Sequence, residues 1–550
     1  MKIKLISSLE KCFLDEDINL KAEYTEGSCF KNEIFRFGCC YVLEEICNAK
    51  LTALISVNSP LKEYVTIRRV EHVPVQLPVL RLANDDDYLR KTPGLYPDLL
   101  LPVEKSSRIV LSNNLQSLFI EVDTKGKAEA GIYPIELVFT SPDTDEVIGK
   151  AEFTLEIINA SLPEQELKFT QWFYCDCLMD YYRTEAFSEE HWRIIENFIK
   201  TAVKNGINMI LTPIFTPALD TYIGGERPTV QLVDIKYDNG KYSFGFEKLG
   251  RWIDISKKCG IKYFEMTHLF TQWGAKHAPK VVADVNGQQK KIFGWETEAS
   301  GKEYSEFLGC FIPSLIEYLK SKGVDKDTVY HISDEPSLEQ LEDYKKARAV
   351  VEPLLKDYVI MDALSNYEFY SEGLVQNPIP STGHIEPFLE NNVPDLWTYY
   401  CMGPAVDASN RFISMPSHRT RIIGTQFYKY NIKGFLHWGY NYYNNQYSYS
   451  PINPFLCTDG EYFAPAGDAF SVYPAPDGTA YESLRICVFH DAIQDMMALS
   501  LCESFCGREY TMSLLEENID PITFKSYPRN AEFILNLREK VNKAVKNKLS

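Results

Sequence analysis

The sequence predicts an α/β protein, a (β/α)8 TIM-type barrel preceded by an antiparallel β-sandwich domain. Up to about residue 165 there is no tryptophan, and apolar residues alternate in short runs. Beyond that point strand-like and helix-like segments alternate, and all seven tryptophans lie there. We therefore expect the sandwich over 1–164 and the barrel over 165–510. A C-terminal helical tail over 511–550 should pack on the barrel or extend from it.

The N-terminal segments have the period-two pattern of strands that are buried on one face. Residues 64–67, 117–122 and 131–139 are rich in β-branched and aromatic residues, and 151–157 alternates strictly. Turn-forming residues separate these runs at regular intervals, which is typical of antiparallel sandwiches. The polar, proline-containing segment 159–166 marks the predicted domain boundary.

The second region repeats a strand followed by a helix about eight times. Its first helix begins after Ser188, a favourable N-cap, and Gly206 ends it. An open doubly wound sheet fits less well, because no strand is followed by GxGxxG or GxxxxGK[ST]. The predicted strands cover 169–174, 208–213, 261–268, 328–333, 358–364, 382–386, 396–402 and 432–438. The later predicted helices cover 246–259, 302–322, 337–355, 417–431 and 481–505.

The charge of the chain argues against nucleic acid and membrane as partners. Lysine and arginine number 57 against 76 aspartate and glutamate residues, a formal net charge of −19. Such a surface repels phosphate backbones and anionic lipids. No run of 18 apolar residues predicts a transmembrane helix, and the N-terminus lacks the apolar core of a signal peptide. Since the 14 cysteines form no disulfide or zinc pattern either, we expect a cytoplasmic protein.

Side chains suited to binding sugars gather where the predicted barrel strands end, which is where barrels carry their chemistry. Aromatic rings pack against the C–H face of a pyranose, and directed polar groups bind its hydroxyls. We expect the residues at these ends to contact an oligosaccharide or glycoconjugate substrate. They are Trp172, His268, Trp273, His331, Asp362, Tyr367, Trp397, Tyr399, His437, Trp438, Tyr440 and Asn441.

Asp334 and Glu335 are adjacent carboxylates at the end of the strand predicted over 328–333. Neighbouring residues of a regular strand point to opposite faces, so these two share a pocket only where the strand turns into its loop. Pro336 fits such a turn, because it restricts Glu335 to extended conformations and removes one backbone donor. Repulsion within the pair raises one pKa, so that one carboxyl supplies a proton while the other stays ionised.

This division of labour is that of glycoside hydrolysis. Ordinary retaining enzymes hold acid and nucleophile about 5 Å apart on opposite sides of the anomeric carbon, which sequence neighbours rarely manage. Adjacent carboxylates suit a substrate-assisted reaction, in which the 2-acetamido oxygen of the sugar attacks C1. The aspartate then orients the acetamido group and stabilises the oxazolinium-like intermediate, and the glutamate protonates the leaving oxygen.

Six segments of the second region occur in a specific order: WFYCD at 172–176, TQWGAKHAP at 271–279, HISDEP at 331–336, MDALSNY at 361–367, GFLHWGYN at 434–441 and VYP at 472–474. As a set they resemble glycoside hydrolase family 123. The resemblance implies a β-N-acetylgalactosaminidase that acts with retention through the acetamido group. It implies that Asp334 stabilises the acetamido group and that Glu335 is the general acid/base. We expect no metal and no other cofactor.

Three alternatives stay open. The first is the same chemistry on N-acetylglucosamine, and the second is a barrel that binds glycans without cleaving them. The third is a metallohydrolase that uses His268, His277, Asp362 and His437, although these histidines lack an HExxH-like spacing. The residues leave the oligomeric state and the linkage preference open. Because no export signal is predicted, we expect short imported oligosaccharides as substrates.

Overall fold

The computed structural model describes residues 1–44, 51–104 and 106–549. In this part of the chain two compact units are present. The N-terminal unit comprises Met1–Gln165, Ala405–Tyr430 and Tyr481–Ser550, and the barrel unit comprises Glu166–Pro404 and Asn431–Ala480. The first boundary thus lies within the polar segment at 159–166. The segments 405–430 and 481–550, predicted as barrel and tail, belong to the N-terminal unit.

The N-terminal unit is rich in β-structure. Its strands pair into sheets of the order β1-β3-β8-β5-β6 and β2-β10-β9-β4-β7. Most neighbours are antiparallel, but β2 runs parallel to β10, so the prediction of a wholly antiparallel domain is wrong at this pair. No local turn signal specifies such a pair, because its strands are far apart in sequence. The strands are β1 Lys2–Ser7, β2 Glu26–Phe30, β3 Ile34–Val42, β4 Leu51–Asn58, β5 Val65–Val75, β6 Gly94–Pro102, β7 Ile109–Leu111, β8 Gln116–Asp123, β9 Gly131–Thr140 and β10 Val147–Ile158.

The two sheets share an apolar core. Phe37 of β3 stacks on Phe153 of β10 with ring centroids 4.2 Å apart, and both side chains are fully buried. Leu155 and Ile157 follow at every second position of β10 and are buried in the same core, as the period of a strand requires. The alternation in the sequence therefore identifies the buried face of this strand.

The barrel unit contains a parallel sheet that curls into a nearly closed barrel. Neighbouring strands follow the order β20-β19-β18-β15-β12-β11-β22-β21, and a bridge between Ser381 and Tyr399 links the two ends. A separate small sheet of β14, β13, β16 and β17 is inserted after β12 and β15. From residue 168 onward the strands of the chain are β11 Lys168–Gln171, β12 Met209–Thr212, β13 Asp234–Asp238, β14 Lys241–Gly245, β15 Tyr263–Met266, β16 Val281–Val285, β17 Gln288–Phe293, β18 Thr328–Tyr330, β19 Val359–Leu364, β20 Asn377–Pro380, β21 Trp397–Tyr399, β22 Gly434–His437, β23 Val472–Pro474 and β24 Ala480–Glu482.

Helices follow the barrel strands and also complete the N-terminal unit. Ser188 caps α2 by accepting a hydrogen bond from the His191 N–H, as its predicted N-cap role requires. In the N-terminal unit α10 packs against α8, α9 and α12, and α12 buries one of its faces. The helices are α1 Cys175–Tyr182, α2 Glu189–Lys204, α3 Glu247–Cys259, α4 Lys302–Ser321, α5 Leu341–Leu355, α6 Glu368–Ser371, α7 Glu386–Glu390, α8 Ser417–Arg421, α9 Ile423–Lys429, α10 Leu484–Cys506, α11 Arg508–Leu515 and α12 Ala531–Leu549. None of the helices in the described residues is long and apolar enough to cross a membrane.

One barrel strand lies outside its predicted position. The pattern predicts a strand at 382–386, whereas β20 covers Asn377–Pro380 and α7 follows it. Two prolines in β20 argue against a strand when the sequence is read alone, because proline cannot donate to a ladder. In the barrel β20 pairs with β19 along its whole length, with Pro378 opposite Asp362. Its other side forms the seam of the barrel, where proline is tolerated.

Candidate active site

A cavity of about 250 Å³ opens at the carboxyl ends of the barrel strands. This volume is slightly below the usual range of small-molecule sites, about 300–1,000 Å³. Its walls come from strand ends and from the loops that follow them, as in other barrels. The cavity is lined by Trp172, Tyr174, Leu219, Asp220, Gln272, Trp273, Asp334, Glu335, Ala363, Tyr399, Cys401, Met402, Leu436, Trp438, Gln446, Tyr447, Phe463 and Asp468.

Asp334 and Glu335 both line this cavity because the chain turns between them. The Trp273 N–H donates to the Asp334 carbonyl at 3.1 Å and so ties this turn to the loop after β15. Glu335 then has a φ of 43°, in the left-handed region that residues other than glycine rarely adopt. Its N–H donates to the Ala363 carbonyl at 3.1 Å. The expected turn is therefore present, but the expectation that Pro336 keeps Glu335 extended is wrong.

The two carboxyl groups have different surroundings. Asp334 is half-buried, and burial raises its pKa well above the ordinary value; the charge of Glu335 raises it further, whereas His331 lowers it. Glu335 accepts a hydrogen bond from the Tyr399 hydroxyl. Burial and the charge of Glu335 raise the pKa of Tyr399, so this hydroxyl remains a donor. Asp334 therefore retains its proton to a higher pH than an ordinary aspartate does.

A buried hydrogen-bonded layer supports these walls. Glu265 accepts hydrogen bonds from the Trp172 indole at 2.7 Å and from the Thr170 hydroxyl at 2.8 Å. His331 lies between two carboxylates, with Nε2 2.7 Å from Glu265 and Nδ1 3.4 Å from Asp362. Burial disfavours the imidazolium, but the two carboxylates outweigh burial and raise the pKa of His331 to about 10. His331 is therefore positively charged at neutral pH.

Asp362 and His268 complete the buried layer. Asp362 accepts hydrogen bonds from the Ile332 N–H at 2.9 Å and from the Tyr344 hydroxyl at 2.6 Å. The His268 ring stacks on His331, with centroids 4.6 Å apart and an interplanar angle of 22°. Burial lowers the pKa of His268 well below its ordinary value, so this ring is neutral. A neutral and a charged imidazole thus lie face to face in this layer.

Within the described residues, His268, His331 and Asp362 bring possible metal-ligand atoms to within 4.8 Å of one another. The arrangement fits a metal ion poorly. Ring-nitrogen lone pairs lie in the plane of an imidazole, so two stacked, nearly parallel rings cannot both direct one at the same ion. His277 and His437, which the metallohydrolase alternative also needs, lie outside this group.

Another wall holds an indole and a carboxylate in fixed positions. The Trp438 Nε1–H donates to Asp468 at 3.0 Å, and the Trp438 ring packs edge-on against Tyr442 at 5.2 Å. His437 Nδ1 accepts the Gly439 N–H at 3.0 Å, which leaves the Nε2 proton of a neutral His437 facing Asp468 at 3.4 Å. Asp468 is thereby oriented from two sides.

The residues predicted to form the site occupy three kinds of position. The cavity wall contains Trp172, Trp273, Asp334, Glu335, Tyr399 and Trp438. The buried layer behind the wall contains His268, His331, Asp362 and His437. The residues outside both are Tyr367, Trp397, Tyr440 and Asn441. The roles of all of these residues remain predictions.

The residues outside the cavity have packing contacts instead. Tyr440 donates to a backbone carbonyl of α2 at 2.8 Å. The Asn441 amide bonds both backbone groups of Tyr174, at 2.9 and 3.0 Å, and so holds the loop after β11. The Trp397 ring packs on Gly434, the first residue of β22, where an added Cβ would lie 2.0 Å from the ring. Tyr367 packs edge-on against α7 at 5.1 Å.

Asp220, Gln272, Tyr447 and Asp468 also line the cavity but are not among the site residues predicted from the sequence. Asp220, Tyr447 and Asp468 lie inside long loops, so counting outward from a strand end does not reach them. Asp220 accepts hydrogen bonds from the Tyr442 hydroxyl at 2.6 Å and from the Tyr447 N–H at 3.0 Å, and burial raises its pKa. For Tyr447 a sequence signal does exist, because the segment 440–450 is unusually dense in tyrosine, asparagine and serine.

Comparison with protein families matches residues 172–502 to the catalytic domain of glycoside hydrolase family 123. Among solved structures, the chain is similar to a family 123 glycoside hydrolase from Clostridium perfringens, reported for glycolipid glycan hydrolysis. The two share 16% identity and a TM-score of 0.73 over 99% of this chain and 97% of that one. Comparison with curated proteins gives no match.

Two other structural matches show only a distant likeness. A β-glucuronidase from Bacteroides uniformis has 10% identity and a TM-score of 0.30, with 89% of this chain and 49% of that one covered. A β-glucuronidase from Ruminococcus gnavus has 9% identity and a TM-score of 0.30, with 81% and 69% covered. The family match spans more than half of the chain and includes Asp334 and Glu335. The chain therefore belongs to glycoside hydrolase family 123.

Proposed function

We propose that this glycoside hydrolase is a retaining β-N-acetylgalactosaminidase that removes terminal residues from glycans by substrate-assisted catalysis. The observation that carries the proposal is the pair of sequence-adjacent carboxyl groups, Asp334 and Glu335, in one cavity with aromatic walls. Carboxyl groups on neighbouring backbone positions approach the substrate from the same region. This arrangement suits a reaction whose nucleophile belongs to the sugar itself.

In the proposed reaction the acetamido oxygen attacks C1 while the bond between C1 and the leaving oxygen breaks. Glu335 donates its proton to the leaving oxygen. Asp334 accepts a hydrogen bond from the acetamido N–H and stabilises the positive charge of the oxazolinium-type intermediate. Water then attacks C1 from the face that the leaving group vacated, the bond between C1 and the acetamido oxygen breaks, and Glu335 takes up a proton of the water. The two successive displacements give retention.

Substrate binding would place the shared proton on the correct carboxyl. In the free protein, burial favours the protonated form of Asp334. The acetamido N–H of a bound substrate gives Asp334 a hydrogen-bond donor, and such a bond favours the ionised form of a carboxyl. The proton of the pair then belongs on Glu335, where the general acid needs it. His331, positively charged close by, supports the ionised Asp334.

The rest of the cavity fits a single pyranose. Trp172 and Trp438 offer indole rings, and Asp220 and Asp468 offer carboxylate acceptors for hydroxyl groups. The preference for N-acetylgalactosamine over N-acetylglucosamine follows from the family resemblance. A site that hydrogen-bonds an axial O4 can reject the epimer strongly, because it would leave buried polar groups unpaired.

The test is a side-by-side assay of 4-nitrophenyl β-N-acetylgalactosaminide and β-N-acetylglucosaminide, with and without EDTA. We expect faster cleavage of the galactosaminide and no effect of the chelator. A thiazoline analogue of the intermediate should inhibit strongly, as transition-state-like ligands do. Preference for the glucosaminide would support the epimeric alternative, and loss of activity with EDTA would support a metal site. No cleavage of either substrate, or no inhibition by the thiazoline, would contradict the proposal.

A further inference from the structure

A row of aromatic rings leads from the cavity wall to the protein surface. The Trp273 ring packs edge-on against Tyr447 with centroids 5.7 Å apart. Tyr447 in turn packs edge-on against Tyr449 at 6.1 Å, and Tyr449 stacks on Tyr222 at 4.6 Å. We call these four residues the aromatic ladder. The first two line the cavity, so the ladder is continuous with the site.

The exposure of the ladder rings is unusual for large aromatic side chains. Tyr449 is 63% exposed, and Trp273 and Tyr222 are each 38% exposed. Contiguous exposed apolar surface beside a cavity is a common mark of a ligand-binding surface. Since the inner rings reach the cavity and the outer rings face solvent, a ligand on the ladder would extend outward from the cavity mouth.

The loops that carry the ladder are fixed by hydrogen bonds. The Tyr447 N–H donates to the Asp220 carboxylate at 3.0 Å, and the Ser448 hydroxyl donates to the Asp220 carbonyl at 2.7 Å. The Tyr222 N–H donates to the Tyr447 carbonyl at 3.1 Å. Asp220, Tyr447 and Ser448 have φ values of 43°, 58° and 55°. Non-glycine residues keep such conformations only where the surroundings enforce them, often at ligand sites.

We propose that the aromatic ladder is a platform for the sugar units on the leaving side of the cleaved bond, so that the substrate is an extended glycan chain. This proposal rests on the proposed function, because it takes the terminal sugar to occupy the cavity. The chain of the substrate can then leave only through the mouth, where the ladder begins. Rings with polar neighbours such as Gln446 and Ser448 suit a carbohydrate, which needs both apolar contact and hydrogen bonds.

The test compares the wild type with the double variant Tyr222→Ala/Tyr449→Ala, whose residues lie outside the cavity wall. Substrates are the 4-nitrophenyl glycoside of whichever N-acetylhexosamine the wild type cleaves and the same sugar at the end of a neutral tetrasaccharide. We expect kcat/KM for the tetrasaccharide to fall about tenfold, which is about 1.4 kcal/mol, and that for the 4-nitrophenyl glycoside to stay within about twofold. Tyr510→Ala, which removes an exposed tyrosine of the N-terminal unit, should change neither value.

Equal losses on both substrates, or no loss on the tetrasaccharide, would overturn the platform. A loss confined to a ceramide-linked form of the same glycan would also overturn it, in favour of a lipid contact. If the wild type cleaves neither substrate, the proposed function fails. In that case the affinities of the wild type and the double variant for the tetrasaccharide, measured by titration calorimetry, test whether the aromatic ladder binds the glycan. Weaker binding by the double variant supports the platform, whereas equal binding, or no binding by either protein, overturns it.

Discussion

At the scale of single residues, the backbone of Glu335 controls which groups face the cavity. A φ of 43° at a non-glycine residue costs about 1–3 kcal/mol. The cost is offset by fixed neighbours, since the N–H of Glu335 bonds to the Ala363 carbonyl and its carboxyl to Tyr399. An extended Glu335 would alternate with Asp334 and point away from it. The strained turn therefore brings two neighbouring carboxyl groups to one cavity.

The proposed roles of the two carboxyl groups predict different substrate dependence. Glu335→Gln should lower kcat about 10²–10⁴-fold on substrates with poor leaving groups, which need the proton. It should lower kcat much less on activated aryl glycosides. Asp334→Asn should impair both kinds of substrate, because stabilisation of the acetamido group is needed with any leaving group. Steady-state kinetics on a series of leaving groups measures both effects.

Glu339→Gln, a change at an exposed glutamate a few residues further along, is the matched control and should leave both rates unchanged. A uniform loss for Glu335→Gln across leaving groups would exclude it as the general acid.

His331 predicts a pH effect. Its positive charge lowers the pKa of Asp334, against burial and Glu335, which raise it. His331→Gln removes that charge, so the pKa of Asp334 should rise further. If Asp334 must be ionised, the acidic limb of the kcat/KM profile should move to higher pH by about one unit. The pH dependence of kcat/KM reports the pKa values of groups in the free enzyme, so the shift applies to Asp334 before substrate binds.

Tyr344→Phe is the control for this experiment. It removes a hydrogen bond to Asp362 in the same buried layer but keeps the charge of His331. The acidic limb should stay in place in this variant. An unchanged limb in His331→Gln, or an equal shift in Tyr344→Phe, would show that the charge of His331 does not act on the catalytic pair.

The sequence alone can identify part of the site and not the rest. Trp172 directly follows β11, and Asp334 and Glu335 lie four and five residues beyond the end of β18, so barrel topology leads to them. Asp468 lies deep in the segment between β22 and β23, where no periodicity indicates which residues turn inward. The position of Trp397 outside the cavity wall has another reason. A strand end orients a side chain either towards the cavity or towards the neighbouring strand, and sequence does not distinguish the two.

At the scale of elements, the pattern predicts α2 to α4 and most barrel strands closely, because their apolar periods and glycine or serine caps are strong. Gly260 ends α3 in the left-handed conformation that such a cap requires. β20 is missed because its two prolines mask it, and the parallel pairing of β2 with β10 is missed because it joins distant segments. Contacts between distant segments also explain why α10 belongs to the N-terminal unit.

Two helical glycines predict opposite effects of the same substitution. A Cβ at Gly424 of α9 would lie 1.9 Å from the Ala492 carbonyl oxygen of α10, so Gly424→Ala should force these helices apart. Overpacking of this kind typically costs about 1–3 kcal/mol. Gly309 of α4 has nothing within 4 Å of a new Cβ. Gly309→Ala should therefore stabilise by up to about 1 kcal/mol through helix propensity.

Chemical denaturation of both variants measures the two free energies of unfolding. The control is built into the comparison, since both changes add one methyl group to a helix. If Gly424→Ala unfolds at the same denaturant concentration as the wild type, the contact between α9 and α10 has room for the added methyl group, and the prediction is wrong.

At the scale of the whole molecule, charge should select among glycans. The net charge is −19, and the cavity wall contains Asp220, Asp334, Glu335 and Asp468 without any basic residue among the described residues that line it. The nearby Arg227 lies over the Tyr174 ring at 5.0 Å but is neutralised by a buried ion pair with Asp176. A glycan that carries sulfate or sialic acid therefore meets like charge both during its approach and at the mouth.

The negative electrostatic potential of the surface and the cavity predicts a salt-dependent preference for neutral substrates. At an ionic strength of about 0.01 M, where charges act over about 30 Å, kcat/KM for an anionic glycan should be several-fold below that for its uncharged counterpart. Raising the ionic strength to about 0.15 M shortens that range to about 8 Å, so the value for the anionic glycan should rise several-fold. The neutral glycan measured in the same buffers reports any effect of salt on the protein itself, and its kcat/KM should stay nearly constant. A parallel response of the two glycans would mean that the acidic surface has no part in substrate selection.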